Sequence, residues 1–197
     1  MKIGVLALQG AFIEHQQILT SLDVEVVQVR IAEQLKDING LIIPGGESTT
    51  IGKLADEFFM MEPLRNFARE HAVWGTCAGA IFLSKDIHRR QPLLGVMDIT
   101  VERNAFGRQV DSFEIDLDIP CLNHNNTGKP FRAVFIRAPL IESIGEQVQL
   151  LAMLPEGVTP SPHRIVAAQQ KKLLATSFHP ELTGDDRFHR YFLELAQ

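Results

Sequence analysis

The chain has 197 residues, 45% hydrophobic and 22% charged, with a formal net charge of -5. Such a length and composition fit a globular protein of one domain, residues 1–197, with a sizeable core. The acidic balance lacks the basic footprint of a nucleic-acid partner. Two cysteines, Cys77 and Cys121, exclude a disulfide framework, and with no C-x-x-C pair there is no zinc signature, so neither a metal nor a bound cofactor is expected.

Lys2 to Leu8 is a near-continuous apolar run, as a strand buried on both faces of a parallel sheet requires. It is too short for a signal-peptide core or a membrane span, and Gln9-Gly10 ends it in a turn. No membrane contact is expected, and the location is read as cytoplasmic. Ala11 to Ser21 has a helical pattern, Asp23 to Val29 reads as a second strand, Ile31 to Lys36 as a short helix and Gly40 to Ile43 as a third strand. This β-α-β-α-β order predicts an α/β fold: a doubly wound, mostly parallel central sheet with helices on both faces. Ligands in such sheets bind at the carboxyl ends of the strands, so Gln9-Gly10, Pro44 to Ser48 and Gly75 to Gly79 are expected on one rim.

Pro44-Gly45-Gly46-Glu47-Ser48-Thr49-Thr50 follows the third strand directly. Its glycines free the backbone to bring N–H groups close to a ligand or an oxyanion; a plain strand-to-helix turn is the alternative. Ser48 or Thr49 is expected to cap a helix over Thr50 to Ala55. There is no G-x-x-x-x-G-K-[ST] spacing, so a nucleotide reading fails. Glu57 to Glu70 is amphipathic, with Met60, Met61, Leu64, Phe67 and Ala68 as packing residues.

Ala72-Val73-Trp74 then feeds Gly75-Thr76-Cys77-Ala78-Gly79, followed by a helix over Ala78 to Ser84. Glycines two residues to each side of a cysteine give the nucleophile-elbow pattern, with Cys in place of Ser. The apex of such a turn is strained, so its neighbours must be small. A helix N-terminus beyond it favours the thiolate, the reactive form, and its N–H groups can hold an oxyanion. From these residues alone, a buried structural cysteine remains an equal reading.

From Pro92 to Pro139 strand-like pieces alternate with turns: Val96 to Val101, Val110 to Leu117 and Ala133 to Ile136, read as an antiparallel extension of the sheet. Arg103, near Gly107 and Arg108, can grip a substrate carboxylate in a bidentate pair or lie in a solvated loop. Arg137, after Ile136, carries the same ambiguity. Leu122 to Pro130 reads as a surface loop and Cys121 as an incidental thiol. Val148 to Leu154 and Ile165 to Ala168 are further strands, separated by a three-proline loop over Pro155 to Pro162. Leu173 to Phe178 is the last strand, and Gly184 to Gln197 closes with an apolar-periodic helix.

The last strand ends in His179-Pro180-Glu181. Proline favours an extended residue before it, and side chains two apart on an extended chain share a side. Glu181 is therefore expected to orient His179, and His179 to take the proton of Cys77. His15, His71, His88, His163 and His189 fall on helices or loops without a carboxylate so placed.

Gly75-Thr76-Cys77-Ala78-Gly79, followed about a hundred residues later by His179-Pro180-Glu181, resembles the class I, triad-type glutamine amidotransferases. Leu6-Ala7-Leu8-Gln9-Gly10, Pro44 to Thr49, Arg103 to Gln109, Phe135 to Pro139 and Ser177 to Thr183 narrow the resemblance. Together they are similar to the glutaminase subunits of pyridoxal 5′-phosphate synthase over nearly the whole chain. The resemblance implies hydrolysis of L-glutamine to L-glutamate and ammonia through a γ-glutamyl thioester. Cys77 is then the nucleophile, His179 the base and acid, and Glu181 its orienter. It also implies oxyanion N–H groups from Gly46 and Ala78, with Gln9 and Gly10 close by. Gly46, Glu47, Ser48, Arg103, Ile136 and Arg137 would hold glutamine. The implied partner is a (β/α)8-barrel synthase in a large hetero-oligomer, a separate chain because 197 residues cannot contain it. A peptide before glycine rotates at low steric cost, so Gln9-Gly10 is a place where that partner can switch the site on. Another hydrolase of this fold, such as a γ-glutamyl hydrolase or a stand-alone amidase, and a non-catalytic interaction module are the competing readings.

Overall fold

Strand alternation sorts the apolar residues of the chain into two core layers. Ile3 and Val5 of β1 (Lys2–Leu6), Ile42 of β3 (Gly40–Ile43), Trp74 of β4 (Ala72–Thr76) and Leu174 of β12 (Leu173–Thr176) join one layer. Leu6, Leu41, Ile43, Val73 and Ala175 join the other. Side chains at period two reach opposite faces, and these strands are covered on both. The structure is a computed structural model that describes residues 1–103, 105–106, 112–122 and 128–197.

Helices α2 (Ser48–Glu57), α3 (Met61–Glu70) and α4 (Ala78–Leu83) close the layer of Ile43, through Ile51, Leu64, Phe67 and Phe82. Helices α1 (Phe12–Ser21) and α5 (Arg187–Leu195) close the layer of Trp74, through Leu19, Phe188 and Phe192. Five strands run parallel in the order β2-β1-β3-β4-β12, with β2 spanning Glu25–Val29. The chain leaves β1 toward β2 and returns to β3 on its other side. The crevice at such a reversal opens at the carboxyl ends of the strands.

The sheet continues from β12 through β11 (Ile165–Gln170), β9 (Leu140–Ile144), β6 (Met97–Glu102) and β5 (Ser84–Asp86), and β10 (Gln149–Met153) pairs with β11. The pairs β12–β11, β11–β10, β11–β9 and β9–β6 are antiparallel, which is the expected extension. It does not include β7 (Ser112–Leu117) and β8 (Phe131–Ile136), which pair with each other in a separate two-stranded sheet. Phe131, Ala133 and Phe135 of β8 still bury into the layer of Trp74.

Several boundaries move for local reasons. The expected helical stretch from Glu57 to Glu70 breaks at Phe58 to Met60, where Phe59 has φ 56°. Helix α2 begins two residues early because Glu47 caps it: the Glu47 carboxylate accepts from Thr50 N at 2.8 Å, in place of a Ser48 or Thr49 cap. Ser84 opens β5 instead of closing α4, and Ala32 to Leu35 is a 3₁₀ turn. Val110, Arg108 and Gln109 of the arginine-bearing turn, and positions 123–127 of the polar loop, lie outside the described residues.

Candidate active site

Cys77 stands where β4 turns into α4, with φ 48° and ψ -103°, a backbone conformation side chains avoid. Its N–H donates to Thr176 O at 2.8 Å, which pins the apex to β12. A Cβ on Gly79 would lie 2.0 Å from Ile43 O, and one on Gly75 would lie 2.5 Å from the Gly79 backbone. Both glycines are therefore dictated by close approach of strand and helix, as the elbow reading requires.

His179 follows β12 on the same rim. Its N–H donates to Val134 O at 2.8 Å, tying it to β8. Its Nδ1 lies 2.7 Å from Glu181 Oε1. The contact was expected, but its basis differs: Pro180 to Leu182 form a 3₁₀ turn, so the two side chains meet across a helical turn and not along an extended chain. Burial would lower the His179 pKa, but hydrogen bonds and charge from Cys77 and then Glu181 outweigh it and raise it to about 10. At neutral pH His179 thus holds a proton beside the Cys77 sulfur. Cys121 contrasts with this: burial pushes its thiol up to about 11, which keeps it inert.

The loop after β3 packs on this pair. A Cβ on Gly45 would lie 2.5 Å from His179 Cε1 and 3.5 Å from Cys77 Cβ. Gly10, at φ 108°, lies so close to this loop that its Cβ would meet Gly45 O at 1.9 Å, and Ala11 N donates to the same oxygen at 3.0 Å. Gln9 Oε1 accepts from Glu47 N at 2.7 Å.

These elements enclose a cleft of about 560 Å³ lined by Gln9, Gly46, Glu47, Ser48, Cys77, Ala78, Ile81, Arg103, Ile136, Arg137 and His179. Every residue expected at the site is at this wall except Gly10 and Glu181, which stand behind it. Ile81 is an addition; its place one turn after Cys77 on the apolar helix was a usable signal. Gln91 is another: its Oε1 accepts from Arg103 Nη1 at 2.8 Å and from Thr49 Oγ1 at 3.1 Å, and its Nε2 donates to Ser48 Oγ at 3.3 Å. No motif marks Gln91. His15 corrects the reading of the remaining histidines, since its Nε2 faces Glu181 Oε2 at 3.5 Å. A cleft of about 570 Å³ at the other end of the strands is lined by Arg65, Arg69, Lys171 and Lys172, among others, with no cysteine, serine or threonine in its lining.

The profile of the SNO glutamine amidotransferase family matches residues 5–197. The pyridoxal 5′-phosphate synthase subunit PdxT of Herpetosiphon aurantiacus is 58% identical over 200 residues, covering 99% of this chain and all of that one. The protein of the same name from Pelotomaculum thermopropionicum is 59% identical, covering 98% of this chain and 94% of its own. A solved structure described as a glutamine amidotransferase superposes with a TM-score of 0.89 at 50% identity, over 98% of both chains.

Proposed function

The chain belongs to the SNO glutamine amidotransferase family, and on that premise we propose how its cleft works. The enzyme is a glutaminase, the glutaminase subunit of pyridoxal 5′-phosphate synthase. Cys77 Sγ attacks the γ-carboxamide carbon of L-glutamine, and the carbonyl oxygen becomes an oxyanion. Backbone N–H groups of Gly46 and Ala78 receive it, with Gln9-Gly10 beside them. His179 hands its proton to the leaving nitrogen, the C–N bond breaks, and ammonia departs from a γ-glutamyl thioester. His179 then takes a proton from water, whose oxygen attacks the thioester carbonyl, and L-glutamate leaves as the Cys77 sulfur is freed. Glu181 holds the imidazole through Nδ1 and stabilises its charged form. Glu47, Ser48, Arg103, Ile136 and Arg137 seat the amino-acid end of glutamine.

The observation that carries this reading is the strained Cys77 beside an imidazole whose far nitrogen lies 2.7 Å from a buried carboxylate. Residues 1–197 act as one glutaminase domain, because both core layers share a single sheet. The partner is a separate (β/α)8-barrel synthase chain within a large hetero-oligomer. Ammonia protonates in bulk water, so it passes directly between the two active sites. A thiol nucleophile needs a reducing compartment, which supports a cytoplasmic location.

The test is Cys77→Ala in complex with the synthase chain. Glutamine-dependent formation of pyridoxal 5′-phosphate is lost, while formation from ammonium salt continues. Residual glutaminase above about a thousandth of the wild type overturns the nucleophile assignment, because losing a covalent catalyst costs more.

A further inference from the structure

Behind Glu181 lies a pair of imidazoles that the chemistry above does not use. His15 of α1 and His189 of α5 are both 0% exposed. His15 Nδ1 is 3.0 Å from His189 Nε2, and His15 Nε2 is 3.3 Å from Thr76 Oγ1 and 3.5 Å from Glu181 Oε2. The Trp74 indole meets both rings edge-on, at centroid distances of 5.6 Å and 5.0 Å. Glu181 is thus divided. Oε1 serves His179, while buried Oε2 has no hydrogen-bond partner among the described residues and faces His15 Nε2 at 3.5 Å.

Hydrogen placement follows from what each atom can do. A carboxylate oxygen only accepts, so a bare His15 Nε2 would set lone pair against lone pair. Nε2 therefore carries the hydrogen, which bonds Thr76 Oγ1 at 3.3 Å and sets the positive edge of the ring 3.5 Å from Glu181 Oε2. Burial first, then His189 and His179, push the His15 pKa well below its usual value, so the ring is neutral and Nδ1 is bare. Nδ1 then accepts from His189 Nε2–H. His189 is also neutral, lowered to about 4 by burial, so its Nδ1 is bare too. That is the His189 atom without a partner among the described residues, and a bare nitrogen is the cheaper orphan than an N–H.

We propose that His15 is a positioning residue of the glutaminase: its Nε2–H holds Glu181 Oε2, so that Oε1 stays on His179 Nδ1, and His189 selects the His15 tautomer that has this hydrogen. The arrangement extends the line Cys77–His179–Glu181 by two rings that never meet substrate. The inference rests on the triad reading of those three residues. A neutral donor suits the place, since a cation there would compete with His179 for the carboxylate.

The test uses the complex with the synthase chain. His15→Phe lowers kcat about ten- to hundredfold, the usual scale for an outer residue that orients a reacting one, and leaves KM for glutamine within about twofold. His15→Gln, whose amide N–H reaches the place of Nε2, restores most of the rate. In a Glu181→Gln background His15→Phe adds little further loss, because the two act as one unit. Nitrogen-15 spectra of the wild type show His15 protonated at Nε2 and bare at Nδ1, and His189→Phe mixes the two tautomers. A His15 protonated at Nδ1 overturns the proposal even where a variant fails to fold. So does a folded His15→Phe with wild-type kcat while Glu181→Gln is slow. If Glu181→Gln is itself unimpaired, the triad reading fails first.

Discussion

Arg103 Nη2 lies 3.0 Å from Glu47 Oε1, so this cation of the cleft wall already faces a carboxylate. Its Nη1 is held by Gln91 at 2.8 Å and by Thr49 at 3.3 Å. The guanidinium is thus set in place before any ligand arrives. A group that grips the end of glutamine remote from its amide binds ground and transition states alike. Arg103→Ala should raise KM about 30- to 150-fold, the equivalent of a charge-assisted hydrogen bond worth about 2–3 kcal/mol, with kcat nearly unchanged. Gln91→Ala should raise KM several-fold by loosening the same head. Steady-state kinetics decide the point: a fall in kcat at saturating glutamine, without a change in KM, removes Arg103 from substrate binding.

The backbone at Cys77 leads to a prediction about stability. At φ 48° and ψ -103° a side chain costs on the order of 1–3 kcal/mol, and glycine does not. Cys77→Gly should therefore unfold at higher denaturant than Cys77→Ala, although both are inactive. Equal midpoints would mean the elbow stores no strain.

Much of this site was legible in the amino-acid order. The runs Ile3 to Leu6, Leu41 to Ile43 and Leu173 to Ala175 read as strands because a sheet covered on both faces needs unbroken apolar sequence. Gly75 and Gly79 marked the elbow because nothing larger fits there. What failed to show depended on tertiary context. β9 is half-buried, and its five residues, Leu140–Ile144, follow Pro139 with little periodicity. The break at Phe59 involves neither glycine nor proline. Gln91 reaches Arg103 from a loop, a meeting set by the fold and by no spacing. His15 and His189 are 174 positions apart, and only the packing of α1 and α5 on one face of the sheet brings them together.

Those two histidines also shape the pH dependence of stability. His189 titrates near 4 when folded and near 6.5 when unfolded. Between these values the unfolded chain binds a proton that the folded one refuses, so acidification destabilises, by up to about 3 kcal/mol from His189 alone. His15, also held low, adds the same sign. His179 acts oppositely. With its folded pKa raised to about 10, its contribution is complete below pH 6.5 and is lost as pH climbs toward 10. Carboxylates held low, such as Glu47 and Asp185, stabilise fully above about pH 4.5 and lose that contribution as pH falls below it. Denaturant titrations across pH should thus peak near 6.5, and His189→Phe should flatten the acid limb. An acid limb unchanged in that variant would contradict a neutral buried ring.

The subunit alone should be a poor glutaminase that docking of the synthase chain switches on. Gln9 and Gly10 pack on the loop after β3, against Gly45 and Glu47. One missing oxyanion donor costs roughly a hundred- to thousandfold in turnover, so one rotated peptide at Gln9-Gly10 suffices. The partner need favour the competent orientation by only a few kcal/mol. Turnover at saturating glutamine, measured with and without excess synthase chain, settles the matter. Equal values would favour a stand-alone hydrolase.

The bond from His179 N–H to Val134 O gives the small β7–β8 sheet a mechanical part. The main chain of His179 is a tie-bar between two sheets that also pack through Phe131, Ala133 and Phe135. One end is anchored in the stiff parallel core through β12. The other is anchored in a two-stranded ribbon whose open end, at Ile136 opposite Ser112, is exposed at the lip of the cleft. Movement of that end shifts Ile136 and Arg137 at the cleft wall and, through Val134 O, pulls on the imidazole's own backbone.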